Sequence, residues 1–295
     1  MTTATTASRT AEIARDIDHA RTRGALQHIV IPPAPALLVR LRAAMQPAEP
    51  DLNEIARIAA GDVAMAATLL RNANSPLYAG QPVQTVGQAM NRLGLKQTAA
   101  IMTGFLVRHA LPVDNRHLQR FWERSGQRAA VMAFIARQLA GMSEDVAHTY
   151  GLFCHVGQPV MLQSVRGYAS TLVEAAARID RPFIATENAN HRTDHAVVGA
   201  LVARVWRLAP EVMAAIRLHH DLDTLGAEGT EPGVHTLVAA GLVAEHLVRR
   251  HEALPPEADW SQHGTAAMAW LQVDDGELQH WEDELREFSG SLADA

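Results

Sequence analysis

The sequence predicts an all-α protein. Apolar residues recur at helical spacing in nearly every long segment, and no run alternates with period two. Helix-start residues stand ahead of these segments and Gly or Pro follows them. Aromatic residues make up only 5% against 48% hydrophobic residues in all, so the core rests on Leu, Val, Ile, Met and Ala.

Taken in order, DLNEIARIAA (51–60) opens with Asp51 and carries Glu54 three residues on, a capping-box-like start. Leu52, Ile55, Ile58 and Ala59 form its apolar stripe. DVAMAATLLRNAN starts at Asp62 and ends at Asn74, where Pro76 prevents continuation. Asn74 tolerates the left-handed conformation and Ser75 bonds local backbone, so NANSPLY reads as a helix stop, with a recognition loop as the alternative. TVGQAMNRL stops at Gly94, a typical residue just past a helix end. LKQTAAIMTGFLVRHAL stops near Pro112, and RFWERSGQRAAVMAFIARQLA at Gly141. SEDVAHTYGLFCHV begins at Ser143 and is broken by Gly157 and Pro159. The stretch around Pro182 is less regular and predicts a loop. DHAVVGALVARVWRL (194–208) has Asp194 as cap and puts Val197, Val198, Leu201, Val202, Val205 and Trp206 on one face. PEVMAAIRLHHD carries Pro210 in its first turn. A linker (223–233) precedes VHTLVAAGLVAEHLVRRH and the acidic DDGELQHWEDELREF.

The net charge of −6 is uneven, at +5 over residues 1–200 and −11 over 201–295. Nucleic-acid binding calls for a concentrated basic stripe. The nearest thing is Arg108, Arg116, Arg120, Arg124 and Arg128, which reads as a solvated face. No stretch approaches the ~20 apolar residues that span a bilayer. The N-terminus lacks the apolar core of a signal peptide. One cysteine, Cys154, forms no internal disulfide. A cytoplasmic protein that binds no nucleic acid and inserts in no membrane is expected.

Six stretches in order carry a resemblance: VIPPAPALLVRL, IARIAAGDVAMAATLLRNANSPLY, TVGQAMNRLGL, FWERSGQRAA with YGLFCHVG, DHAVVGALVARVWRLAPEV, and IRLHH. They resemble the HDOD domain, the HD-related output domain of bacterial signalling proteins, over roughly residues 25–220. The resemblance implies two all-helical lobes: a helical bundle at about 25–112 and an HD-like lobe at 113–220. Residues 1–24 are then a tail or helix, and 221–295 an acidic helical extension. Trp260, Trp270 and Trp281 on that extension are expected mostly to pack onto the domain, with partner contact as the alternative.

HD hydrolases hold divalent cations on His and Asp side chains and use them to acidify a water. Here the resemblance sets Arg124 at the first-His position, Cys154-His155 at the His-Asp doublet, and Gly241 near the closing Asp. A guanidinium offers no lone pair to a cation. His195, His219 and His220 remain, but neighbouring positions on a helix point about 100° apart. Neither Cys154 with His155 nor His219 with His220 is therefore expected to converge. The sequence-level expectation is a degenerate site (Arg124, Cys154, His155, His195, His219, His220) with no metal, no cofactor and no catalytic residue, and with Asn74, Ser75 and Gly94 as family-motif positions. The histidines read as satisfied core groups and Cys154 as a small buried residue; a zinc or other metal site joining Cys154 and His155 to the other histidines, and an anion pocket at Arg124, are the minor alternatives. The expected function is a non-catalytic regulatory module that binds a signalling protein, such as one of a cyclic-dinucleotide or kinase pathway. A divergent metal-dependent phosphohydrolase and a nucleotide-sensing domain are the alternatives.

Overall fold

Asp51, Asp62, Ser143 and Asp194 each accept a hydrogen bond from a backbone N–H of the turn that follows, and at each a helix begins. Thr85 adds a capping box with Gln88. Each such cap contributes about 1 kcal/mol by satisfying a donor that the helix cannot. In this computed structural model the structure describes all residues except 1–7, 24–25, 76–77, 79, 114, 116–117, 119, 179 and 294–295. The side chains of 23 and 287–293 also lie outside the description. Pro76 and Arg116, used above, are therefore outside the described residues.

In chain order the helices are α1 (Arg9–Arg23), α2 (Ala36–Met45), α3 (Leu52–Ala60), α4 (Val63–Ala73), α5 (Val86–Leu93), α6 (Leu95–Ala110), α7 (Phe121–Gln138) and α8 (Glu144–Phe153). They continue as α9 (Gly157–Ser164), α10 (Tyr168–Ala177), α11 (Phe183–His191), α12 (His195–Val205), α13 (Pro210–Leu218), α14 (Pro232–His251), α15 (Ala258–Leu271) and α16 (Asp275–Ala293). No strand occurs among the described residues. None of their helices is long and apolar enough to cross a membrane.

The chain forms two units. The smaller comprises 32–112 and 279–295. Within it α2 lies against α3 and α6, and α4 against α3, α5 and α6. Ile55, Met65, Leu69 and Met102 are fully buried. Burying a side chain of this size stabilises by about 1.5–3 kcal/mol. Asn74 ends α4 at φ −97°, not in the left-handed region. Its amide instead clasps Val83, donating to the Val83 carbonyl (2.9 Å) and accepting from the Val83 N–H (2.8 Å). The Ser75 N–H donates to the Asn72 carbonyl (3.1 Å), a local turn. Gly94, at φ +76°, closes α5 and opens α6, a conformation that glycine adopts without strain.

The larger unit comprises 1–31 and 113–278. The segment expected as an acidic extension therefore divides: α14 and α15 belong to the larger unit, and most of α16 to the smaller. Helix α7 runs along α8 and α14, α12 packs on α9 and α13, and α14 on α13 and α15. Helix α1 docks on α12 and α13. Phe153 meets Trp206 edge to face at 5.9 Å inside this core. The three tryptophans pack within the chain: Trp260 stacks on His246 at 3.7 Å, Trp270 Nε1 donates to Thr236 (3.1 Å), and Trp281 is buried. Two helices differ from expectation. Gly157 and Pro159 sit in the first turn of α9, where Pro costs no hydrogen bond. Pro182 likewise starts α11 where a loop was expected.

Candidate metal centre

The doublets that a continuous helix would splay apart do not sit inside helices. Helix α8 ends at Phe153, and Cys154, His155 and Val156 turn into α9. Helix α13 ends at Leu218, leaving His219 at its cap and His220 beyond. At this helix end the rings of His219 and His220 lie with centroids 4.1 Å apart. The expectation that His219 and His220 could not converge is thus corrected, whereas Cys154 stays outside the group of ring nitrogens that His155 joins, as expected.

Gly157 sets the approach of the third segment. A Cβ there would lie 2.0 Å from the His195 carbonyl oxygen, so only glycine lets the start of α9 meet the start of α12. Asp194 caps α12, accepting from the Val197 N–H (2.9 Å), and His195 is its first residue. His155 Nδ1 then stands 3.0 Å from His195 Nε2. His219 Nε2 and His220 Nε2 stand 3.2 and 3.3 Å from the same atom. One nitrogen from each of the four rings falls within 4.8 Å of all the others. Four nitrogens held tetrahedrally at zinc distances are about 3.3 Å apart.

The remaining ring nitrogens determine what these atoms carry. His219 Nδ1 donates to the Ile216 carbonyl (2.7 Å), which can only accept. His195 Nδ1 donates to Glu187 Oε2 (2.7 Å), and His220 Nδ1 to Asp259 Oδ2 (2.5 Å). With all three rings neutral, their Nε2 lone pairs would point at one another. Such an arrangement is relieved by a cation at its centre or by a proton shared between rings, such as one on His220, which Asp259 favours. Outward Nδ1–H bonds to carboxylates and carbonyls are also what orients metal-binding histidines. Burial, then the nearby Arg128, pushes His155 well below the ordinary histidine range. Burial, then His220 and His195, does the same to His219. Both are therefore neutral ligands near pH 7. Burial opposes the charged form of His220 too, but Asp259 outweighs it and raises the group. Burial likewise works against the Glu187 carboxylate, yet His195 and Tyr168 hold it below the usual range. Glu187 is fully buried and spends both oxygens, accepting from the Tyr168 hydroxyl and from the His195 ring and backbone N–H. The donor set fits one divalent transition-metal ion, held by His155, His195, His219 and His220.

Arg124 is not at this cluster. It pairs with Glu252 (2.7 Å), as does Arg120 (2.8 Å). The arginine at the site is Arg128, one turn further along α7, 5% exposed and paired to Glu245 through Nε (2.8 Å). Arg124 and Arg128 share a helix face, so spacing alone does not choose between them. The closing carboxylate has no room: a Cβ on Gly241 would lie 2.7 Å from the Tyr150 ring and hydroxyl. Cys154 is buried beside Tyr150 and Arg128, and burial pushes its thiol up to about 11, leaving almost no thiolate for nucleophilic work. A cavity of about 30 Å³ adjoins the cluster, bordered by Arg128, Cys154, His155, His219, His220 and Glu245 among others.

Reading the sequence missed Glu187, Asp259, Arg128, Glu245 and Tyr168. Arg128 alone left a signal, as the i+4 neighbour of Arg124. Glu187 lies in a stretch taken for a loop, and Asp259 among many other acidic residues.

The HDOD domain family matches residues 31–222 of the chain. An uncharacterized protein of Treponema pallidum is 23% identical over 220 residues; the match covers 74% of this chain, which spans only 42% of that relative's length. Among solved structures, a Marinobacter aquaeolei protein provisionally named for signal transduction superposes with a TM-score of 0.75 at 18% identity. That alignment covers 98% of this chain and 66% of the other. A Shewanella amazonensis protein provisionally named a phosphohydrolase gives 0.70 at 20% identity, covering 97% and 96%. At these identities the likeness establishes the fold alone.

Proposed function

Since the chain belongs to the HDOD domain family, we propose that it is a non-catalytic, cytoplasmic signalling module that holds one transition-metal ion in its larger unit and acts by contact with a signalling protein. The carrying observation is the convergence of three imidazole Nε2 atoms whose Nδ1–H groups are committed outward to Glu187, Ile216 and Asp259. This revises the sequence-level expectation of no metal, whose geometric ground was the splaying of the doublets. A bound cation would supply the positive charge that the lone pairs need. It would also pin the α8–α9 turn, the start of α12 and the end of α13 to one point.

Three features support a role without turnover. The carboxylates near the cluster accept hydrogen bonds from its histidines or pair with arginines. Tyr150 fills the space at Gly241, near the position matched to the closing Asp of a hydrolase, and Arg124, matched to the first His, pairs with Glu252 instead. The thiol of Cys154, at the doublet position, is pushed up to about 11 by burial, which leaves almost no thiolate for nucleophilic work. The reading of a protein partner rests on the family and on the Marinobacter protein's provisional name.

The test joins metal analysis to an activity assay. Purified protein should carry close to one equivalent of transition metal, lost when His195 and His219 are both replaced by Ala. It should leave bis(p-nitrophenyl) phosphate unhydrolysed with manganese, magnesium or zinc. Absence of tight metal binding defeats the proposal. Turnover that disappears in His195→Ala would replace it with the phosphohydrolase reading, which the Shewanella protein's provisional name favours.

A further inference from the structure

Every ligand atom of the candidate centre is an imidazole nitrogen, from His155, His195, His219 and His220. The anionic groups nearby have other work. Glu187 and Asp259 stand one hydrogen bond behind, on His195 Nδ1 (2.7 Å) and His220 Nδ1 (2.5 Å). Glu245 pairs with Arg128 (2.8 Å) and Glu257 with Arg249 (2.6 Å). Cys154 keeps its proton and offers no thiolate. Among the described residues, a cation at the centre therefore meets four neutral nitrogens and no charged oxygen or sulfur.

This ligand set selects among cations. Magnesium, calcium and manganese(II) favour carboxylate, carbonyl and water oxygens. Zinc, nickel(II) and cobalt(II) bind imidazole more strongly, and manganese(II) stands lowest in the divalent transition series. Neutral nitrogens also hold a cation less firmly than thiolates do, because each thiolate adds a full negative charge to the attraction.

Packing, not the cation, brings the ligands together. Gly157 seats α9 against the His195 carbonyl, and a Cβ on Gly199 of α12 would lie 2.9 Å from the Ile216 side chain of α13. Three of the rings are oriented by Nδ1–H bonds to Glu187, Ile216 and Asp259. A site assembled this way persists without its ion, unlike one that gathers only as metal binds. His155, His219 and His220 also border a cavity that is partly open to solvent, so water and dissolved cations reach these rings.

Resting on the cation reading above, we infer that the four-histidine cluster takes a nitrogen-preferring divalent cation, of the class of zinc and cobalt(II), as an exchangeable ligand and rejects magnesium, calcium and manganese(II). The ion is then something the module gains and loses, not a fixture that holds its fold.

The experiment uses the full chain. EDTA should strip the metal within minutes with helix content by circular dichroism unchanged, and zinc should restore one equivalent. Cobalt(II) added to the stripped protein should give the intense visible absorption of a four-coordinate ion. Zinc should abolish that absorption, and millimolar magnesium, calcium or manganese should leave it. In competition with a chelator, cobalt should bind about a hundredfold or more tighter than manganese, in keeping with the divalent series and the imidazole ligands. His155→Asp sets a carboxylate among the nitrogens, at a turn between helices, and should raise manganese affinity by about tenfold. If this variant does not fold, the wild-type measurements decide alone. Manganese or magnesium binding as tightly as cobalt, metal that leaves only as the protein unfolds, or a folded His155→Asp with manganese affinity unchanged would each overturn the inference and leave the cation reading intact. A chain that binds none of these metals tightly overturns both.

Discussion

Glu187 shows how much of the centre depends on side chains that would not touch a cation. It is fully buried and accepts from the His195 ring (2.7 Å), the His195 backbone N–H (3.1 Å) and the Tyr168 hydroxyl. Its work is to keep the proton on His195 Nδ1, so that Nε2 presents a lone pair. Glu187→Gln preserves shape but removes the charge and can turn a donor toward His195. Metal affinity, measured by competition with a chelator, should fall by about 10–100-fold, with helix content unchanged by circular dichroism. Unchanged affinity would mean that the carboxylate serves packing alone. At the same scale, Arg128 and Arg124 show why a residue type is not a role: one is buried against Glu245 and the other shares the Glu252 carboxylate near the surface.

Between elements, the contact of α9 with α12 carries the geometry of the site. Gly157→Ala would place a methyl group against the His195 carbonyl, which is backbone and cannot swing aside. Overpacking of this kind costs about 1–3 kcal/mol or more. Urea unfolding should show that loss, and metal affinity should fall with it, because His155 and His195 are driven apart. The contact of α14 with α15 is a pH-sensitive one. His246 stacks on Trp260, and burial together with Arg250 and Arg249 lowers it from 6.5 to about 4. Between those values the unfolded chain takes up a proton that the folded one refuses, so stability falls as pH drops through the window. Urea midpoints should therefore fall more steeply from pH 6.5 to 4 for the wild type than for His246→Gln. Parallel curves would place the acid response elsewhere.

For the molecule as a whole, a cation at the four histidines would join segments from residues 155, 195 and 219–220, all in the larger unit. Metal that binds only the folded state stabilises it by mass action. Hydrogen exchange should accordingly slow in α8, α9, α12 and α13 on adding zinc, and stay unchanged in α2–α6. Slowing across both units alike would show that the metal acts on more than its own site. Much of this architecture is legible in the sequence. The caps at Asp51, Asp62, Ser143 and Asp194, the stop at Gly94, the all-helical class and the family follow from spacing, local hydrogen bonding and motif order, which act over a few residues at a time. The cluster does not. Where the rings of His155, His219 and His220 point depends on helices ending one residue before each doublet's chemistry begins, and on Gly157 allowing α9 to reach α12. Glu187, Asp259 and the choice of Arg128 over Arg124 depend on partners 8 to 117 residues away. Periodicity determines which face of a helix is apolar; only long-range packing decides which polar groups that face brings together.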